Sequence, residues 1–80
     1  MNTKQQPEFQ IDPKLIECEL QELTGNERVS VKLDKHIPVR VSIYQTDVGI
    51  ENRIRLNPNK IRSQATLDAV LNVCRQAVVN

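Results

Sequence analysis

The chain has 80 residues, of which 39% are hydrophobic, and a formal net charge of +1. This length allows one small domain, near the lower limit for a self-sufficient core, and no stretch reaches the ~20 apolar residues that a membrane-spanning helix requires. The small net charge does not by itself indicate a nucleic-acid- or membrane-binding protein, and two cysteines are too few for a disulfide framework. Because no apolar run follows Met1, we expect no signal peptide, no membrane association, and a cytoplasmic protein with reduced thiols.

The first ten residues are polar, and we predict a flexible segment over 1–10 followed by a single domain over 11–80. A helix is predicted to begin at Asp12-Pro13, because Asp is a good N-cap and Pro fits the first helical position. It is predicted to end at Thr24-Gly25-Asn26, where glycine suits the left-handed residue after a helix. Its predicted apolar face consists of Leu15, Ile16, Leu20 and Leu23.

The middle of the chain alternates apolar and polar residues with the period of two that is typical of strands. Strands are predicted over 29–33, 37–44 and 53–56, with a turn at 34–36 and a loop over 45–52. Because the connections are short, we predict an antiparallel meander. Pro38 lacks the backbone donor that a central strand needs, so the second strand is expected at an edge of the sheet.

The residues after Asn57-Pro58 predict a helix to the C-terminus that is N-capped by Ser63. An apolar stripe with helical spacing comprises Leu67, Val70, Leu71, Cys74 and Val78, and is widened by Ala69, Val73 and Ala77. A stripe of this width predicts burial on more than one side. The predicted fold is therefore α+β, in the order α-β-β-β-α, with a three-stranded antiparallel sheet and two helices packed on one face.

The junction between the last strand and the last helix, residues 54–58 followed by 67–71, resembles that of SprT-like zinc metalloproteases and related zincins. In that family the helix carries the zinc-binding HExxH motif, so the resemblance implies a zincin-type core. At the matching positions this chain has Val73, Cys74 and Ala77 in place of the first His, the Glu and the second His. Such a zinc site needs two imidazoles on one helical face and a carboxylate. The resemblance therefore implies an inactive remnant of the family, without a metal.

Other residues give little indication of catalysis. His36, the only histidine, lies in the predicted turn with no second ligand or nucleophile near it in sequence. Cys74 lies on the apolar stripe, where a thiol is expected to be unreactive. The two glycines, Gly25 and Gly49, cannot form a glycine-rich phosphate-binding loop. We therefore predict a non-enzymatic protein that has no cofactor and no metal.

The charges are unevenly distributed along the chain. Residues 1–27 have two lysines against six acidic residues, a net charge of −4, whereas residues 28–80 have nine basic against four acidic residues, a net charge of +5. The alternation predicts that basic side chains of the strands project, with an aromatic one, from the face of the sheet that the helices leave open. The candidate partner-binding residues are Lys32, Arg40, Tyr44, Arg53, Arg55, Lys60 and Arg62. This set suits a phosphate backbone or an acidic protein, although basic residues are also ordinary on a solvated antiparallel sheet.

Three hypotheses about function follow from the sequence. The first is a small non-catalytic binding module that uses the basic strand residues for a protein partner or nucleic acid. The second is a structural or regulatory homodimer, joined through an edge strand or the apolar terminal helix. The third is the inactive remnant of a zincin-type metalloprotease.

Overall fold

The computed structural model of the chain describes residues 9–80, and most of the predicted flexible segment, residues 1–8, lies outside them. The fold is α+β, and its elements follow the predicted order α-β-β-β-α. They are α1 (Pro13–Thr24), β1 (Val29–Leu33), β2 (Arg40–Thr46), β3 (Gly49–Leu56) and α2 (Gln64–Ala77). Neither helix among the described residues is long and apolar enough to cross a bilayer.

Both helices begin at the predicted N-caps. The Asp12 carboxylate accepts hydrogen bonds from two N–H groups of the first turn of α1, the shorter at 2.9 Å. The Ser63 hydroxyl accepts one from the Thr66 N–H at 3.2 Å. Gly25 follows α1 with φ 70°, the left-handed conformation that the sequence predicts and that favours glycine.

The sheet is mixed, so the predicted antiparallel meander is wrong. β3 lies in the centre, with β1 parallel to it on one side and β2 antiparallel to it on the other. The connection over 34–39 can span the two strand spacings, about 10 Å, across the end of β3, so β1 and β2 need not be neighbours. The predicted loop over 45–52 is also wrong, because a turn at Asp47 and Val48 joins β2 directly to β3.

One hydrophobic core lies between the sheet and both helices, which pack on the same face as predicted. Ile54 and Leu56 of β3 are at most 1% exposed, and so are Leu20 of α1 and Cys74 of α2. Ile61, in the segment that leads to α2, is 1% exposed and completes the core at the end of β3. β1 contributes Val29 and Val31 to this core, so β1 and β3 together supply the part of the sheet that the helices cover.

The apolar faces of the helices are only partly buried. The buried helix residues are Ile16, Leu20, Leu67, Leu71 and Cys74. The exposed ones include Leu15, Leu23, Ala69 and Val73, so the predicted burial of α2 on more than one side is wrong. An open cleft of about 300 Å³, called the α2 cleft below, is lined by Val39, Ala69, Val70 and Val73.

Candidate partner-binding face

The strand register places three of the predicted basic residues in one row across the sheet. Arg55 of β3 pairs with Lys32 of β1 on one side and with Arg40 of β2 on the other. Opposed residues in a sheet project from the same face, so the three side chains lie together on the face opposite the helices. All three are exposed. The row extends over two strand spacings, about 10 Å.

Arg53 lies in the next row and contacts Tyr44 diagonally, because Tyr44 is opposite Glu51, one row further on. The guanidinium carbon of Arg53 lies 4.4 Å from the centre of the Tyr44 ring. The Arg53 Nε is 2.8 Å from Glu51 Oε1, and this hydrogen bond, together with the charge of Glu51, raises the pKa of Arg53. Arg53 is therefore a permanent cation that covers one face of the tyrosine ring. We call the surface formed by Lys32, Arg40, Tyr44, Arg53 and Arg55 the basic sheet face.

Two of the four cations of this face have acidic partners. Arg53 pairs with Glu51, and Arg55 Nη1 lies 3.6 Å from Asp34 Oδ2. Within residues 9–80, no carboxylate lies within 4.0 Å of the Lys32 or Arg40 side-chain nitrogens. Exposed ion pairs are weak and screened by solvent, so the carboxylates of a ligand can compete with Asp34 for Arg55. Lys32 and Arg40, at the two ends of the row, therefore have no competing carboxylate among the described residues.

Lys60 and Arg62 are not part of the basic sheet face. Both are exposed, in the segment between β3 and α2, and Arg62 lines a separate cleft of about 550 Å³ beside Phe9 and Leu33. A shallow depression of about 400 Å³ on the sheet face is lined by Ser30, Lys32, Glu51, Arg53, Ile54 and Arg55. The structure thus brings five of the predicted site residues together and leaves two apart.

Arg28 is a basic residue beside this face that the sequence prediction missed. It directly precedes β1, and its guanidinium group lies beside Gly49. The position that a β-carbon would occupy on Gly49 is 3.5 Å from Arg28 Nη1. The signal for it is the period-two alternation of β1, because Arg28 has the same parity as Ser30 and Lys32. Arg28 extends the positive charge toward the hairpin that joins β2 and β3.

The outer edge of β1 is closed by two side chains of α1. Gln21 Nε2 donates a hydrogen bond to the Val29 carbonyl at 3.0 Å. The Val31 N–H donates one to Glu17 Oε1 at 2.9 Å. These side chains form the hydrogen bonds that a further strand would otherwise form, and thereby block its access.

The outer edge of β2 is open. The backbone N–H of Asn52 donates to the Arg28 carbonyl, so the backbone of Asn52 forms its hydrogen bonds with the β1 side and not with β2. Ile43 is opposite Asn52 in β2, and the two form a non-hydrogen-bonded pair. The N–H and C=O of Ile43 therefore point away from β3. Val41 and Gln45 have the same orientation because they have the same parity. In the described part of the chain, no group forms a hydrogen bond with the outward backbone atoms of these three residues.

The positions that the zincin resemblance matches to HExxH carry no set of zinc ligands. Cys74 is fully buried, and burial raises the pKa of its thiol and so disfavours the reactive thiolate. Val73 is exposed and Ala77 is half-buried. His36 is exposed, and its backbone N–H donates to Asp34 Oδ1 at 2.8 Å. Among residues 9–80, no group of three or more His, Cys, Asp and Glu side chains is placed to hold a metal ion.

Comparison of the chain with protein-family models, with curated proteins and with solved structures gives no match. The zincin resemblance therefore stays a prediction from the sequence.

Proposed function

We propose that this protein is a non-catalytic binding module whose basic sheet face binds an acidic segment of a protein partner. The proposal is supported by the cross-strand row of Lys32, Arg55 and Arg40. Hydrogen bonds between guanidinium groups and carboxylates are charge-assisted and often bidentate, and are stronger than hydrogen bonds between neutral groups. The sheet holds the backbones of these three residues at fixed spacing, so little backbone conformational entropy is lost when a partner binds.

The composition of the face favours a protein over a nucleic acid. Arginine and tyrosine are enriched in protein–protein interfaces, and this face contains three arginines and one half-exposed tyrosine. A base would have to stack on Tyr44, but Arg53 already covers one face of that ring.

Tyrosine fluorescence provides a direct test, because Tyr44 is the only tyrosine and the chain has no tryptophan. The probes are a short synthetic peptide rich in Asp and Glu, and a single-stranded DNA oligonucleotide of equal net charge. The test variant is Arg40→Glu combined with Arg55→Glu. Its matched control is Lys60→Glu combined with Arg62→Glu, which changes the net charge equally but away from the face.

We expect the peptide to change Tyr44 fluorescence and to bind the test variant at least about tenfold more weakly than the wild type, since charge-assisted hydrogen bonds contribute about 1.5–3 kcal/mol each. The control variant should bind nearly as tightly as the wild type at physiological salt, where distant charges are screened. Equal losses in both variants would overturn the proposal. Tighter binding of the oligonucleotide than of the peptide would reassign the face to nucleic acid. Arg40→Gln, which breaks no ion pair, keeps the test valid if the double variant does not fold.

A further inference from the structure

We propose that two copies of this chain pair through the open edge of β2 and form a two-fold symmetric dimer with one continuous sheet. This inference goes beyond the proposed function and does not depend on it. It rests on the difference between the two edges of the sheet. The edge at β1 is closed by Glu17 and Gln21, whereas no side chain of residues 9–80 covers the edge at β2 in this way.

β2 also lacks the other features that keep an exposed edge from pairing. Natural edge strands are protected by prolines, by bulges or by charged side chains along the strand. β2 contains no proline and one charged residue, Arg40, at its first position. Pro38 precedes the strand and leaves the backbone groups of Val41, Ile43 and Gln45 free to pair.

The sequence of β2 is compatible with antiparallel pairing to itself. In the register that uses the whole strand, Ile43 lies opposite Ile43 of the second copy, on the symmetry axis. Arg40 then lies opposite Thr46, and Val41 lies opposite Gln45, so like charges do not meet. The outward groups of Val41, Ile43 and Gln45 from both copies form about six backbone hydrogen bonds in this register.

Pairing in this register also covers apolar surface. Ile43 is on the helix side of the sheet, opposite Asn52, yet it is 48% exposed. Val39, one residue before the strand, lines the α2 cleft together with Val70 and Val73. The second copy of Ile43 removes this side chain from water, and the α2 cleft lies beside the new interface.

A second copy fits the edge better than other occupants. Residues 1–8 contain one apolar residue, Met1, and lack the alternation that a strand on this edge would need. An acidic strand from another protein would find one cation, Arg40, along the seven residues of β2. Another copy of β2 requires no opposite charge and supplies its own apolar residue at the centre.

The oligomeric state, measured without any ligand, tests the pairing. Sedimentation equilibrium over a range of concentrations should give twice the chain mass at high concentration. Ile43→Lys places two cations face to face on the symmetry axis and should leave the protein monomeric. Leu15→Lys, a similar change at an exposed site on α1, should dimerise like the wild type. A single-chain mass for the wild type at every concentration would overturn the proposal.

The register is tested by disulfide trapping with Cys18→Ser as background, because Cys18 is exposed and would cross-link by itself. Ile43→Cys should form an interchain disulfide, since opposed Cα atoms in such a pair are about 5.5 Å apart, within disulfide range. Thr46→Cys should not, because its two thiols would be about 20 Å apart. Cross-linking at 46 but not at 43 would exclude the register. Peptide binding by the monomeric Ile43→Lys variant tests the proposed function separately, because Ile43 is on the other side of the sheet.

Discussion

Asn52 and Val79 are joined by two hydrogen bonds of opposite direction. Asn52 Nδ2 donates to the Val79 carbonyl and the Val79 N–H donates to Asn52 Oδ1, both at 2.9 Å. Asn26 Nδ2 donates a further bond to the same carbonyl at 3.0 Å. Asn52 is 0% exposed, so its amide would carry a large desolvation cost without these partners. The pair connects the residues after α2 to the central strand.

Replacement of Asn52 by alanine should lower the free energy of unfolding by about 2–3 kcal/mol, because both hydrogen bonds are lost and the Val79 N–H is left without its partner. Urea denaturation measures the change. The control is Asn72→Ala on the exposed side of α2, which should stay within about 0.5 kcal/mol of the wild type. Equal stability of the Asn52→Ala variant and the wild type would show that Asn52 does not hold the C-terminal residues in solution.

Glu17 should protect the amide of Val31 from hydrogen exchange, because its carboxylate accepts a hydrogen bond from that N–H. We expect Glu17→Ala to speed exchange at Val31 and to destabilise the fold by about 1 kcal/mol. Glu17→Gln keeps an acceptor oxygen and should preserve most of the protection. Glu19→Ala, at an exposed position of the same helix, is the control and should leave Val31 unchanged. Unaltered exchange in Glu17→Ala would contradict the closed edge of β1.

Cys74 should make the protein less stable in alkaline solution. Burial raises the pKa of its thiol above the ordinary value of 9.0, so the folded state keeps a proton that the unfolded state loses. The free energy of unfolding should therefore fall as the pH rises above about 9 and through the folded-state pKa. Denaturation at a series of pH values should show a smaller fall for Cys74→Ala than for the wild type. Cys18→Ser should behave like the wild type, because Cys18 is exposed; equal pH dependence in all three proteins would refute the assignment.

The features that could be predicted from the sequence are those that depend on neighbouring residues. Asp12, Gly25 and Ser63 end or begin helices through contacts within three or four residues, so their types and positions are sufficient to identify them. The alternation of the strands likewise predicts which side chains project away from the helices. That is why five basic or aromatic site residues lie on one face as expected.

Strand order could not be predicted in this way, because β2 and β3 show similar alternation in the sequence. β3 is the central strand and pairs with β1 and β2. Its helix-facing residues Asn52, Ile54 and Leu56 are almost completely buried, as is expected for a strand in the middle of a sheet. The sequence predicts a loop at Asn52, because its partner Val79 is 27 residues away and no neighbouring residue indicates the contact. The row of Lys32, Arg55 and Arg40 depends on the same strand order, so the sequence could indicate the face but not the register. Lys60 and Arg62 lie in an irregular segment, where no periodicity indicates direction.

Glu17 and Gln21 also limit the number of chains that can join this sheet edge to edge. A sheet with two open edges can add copies at both ends without limit, which is how fibrils grow. Here one edge is occupied by the two side chains of α1, so pairing at β2 leaves no strand available for a third copy. In the proposed dimer, two side chains on a helix would thus stop self-association at two copies instead of letting it continue into a polymer.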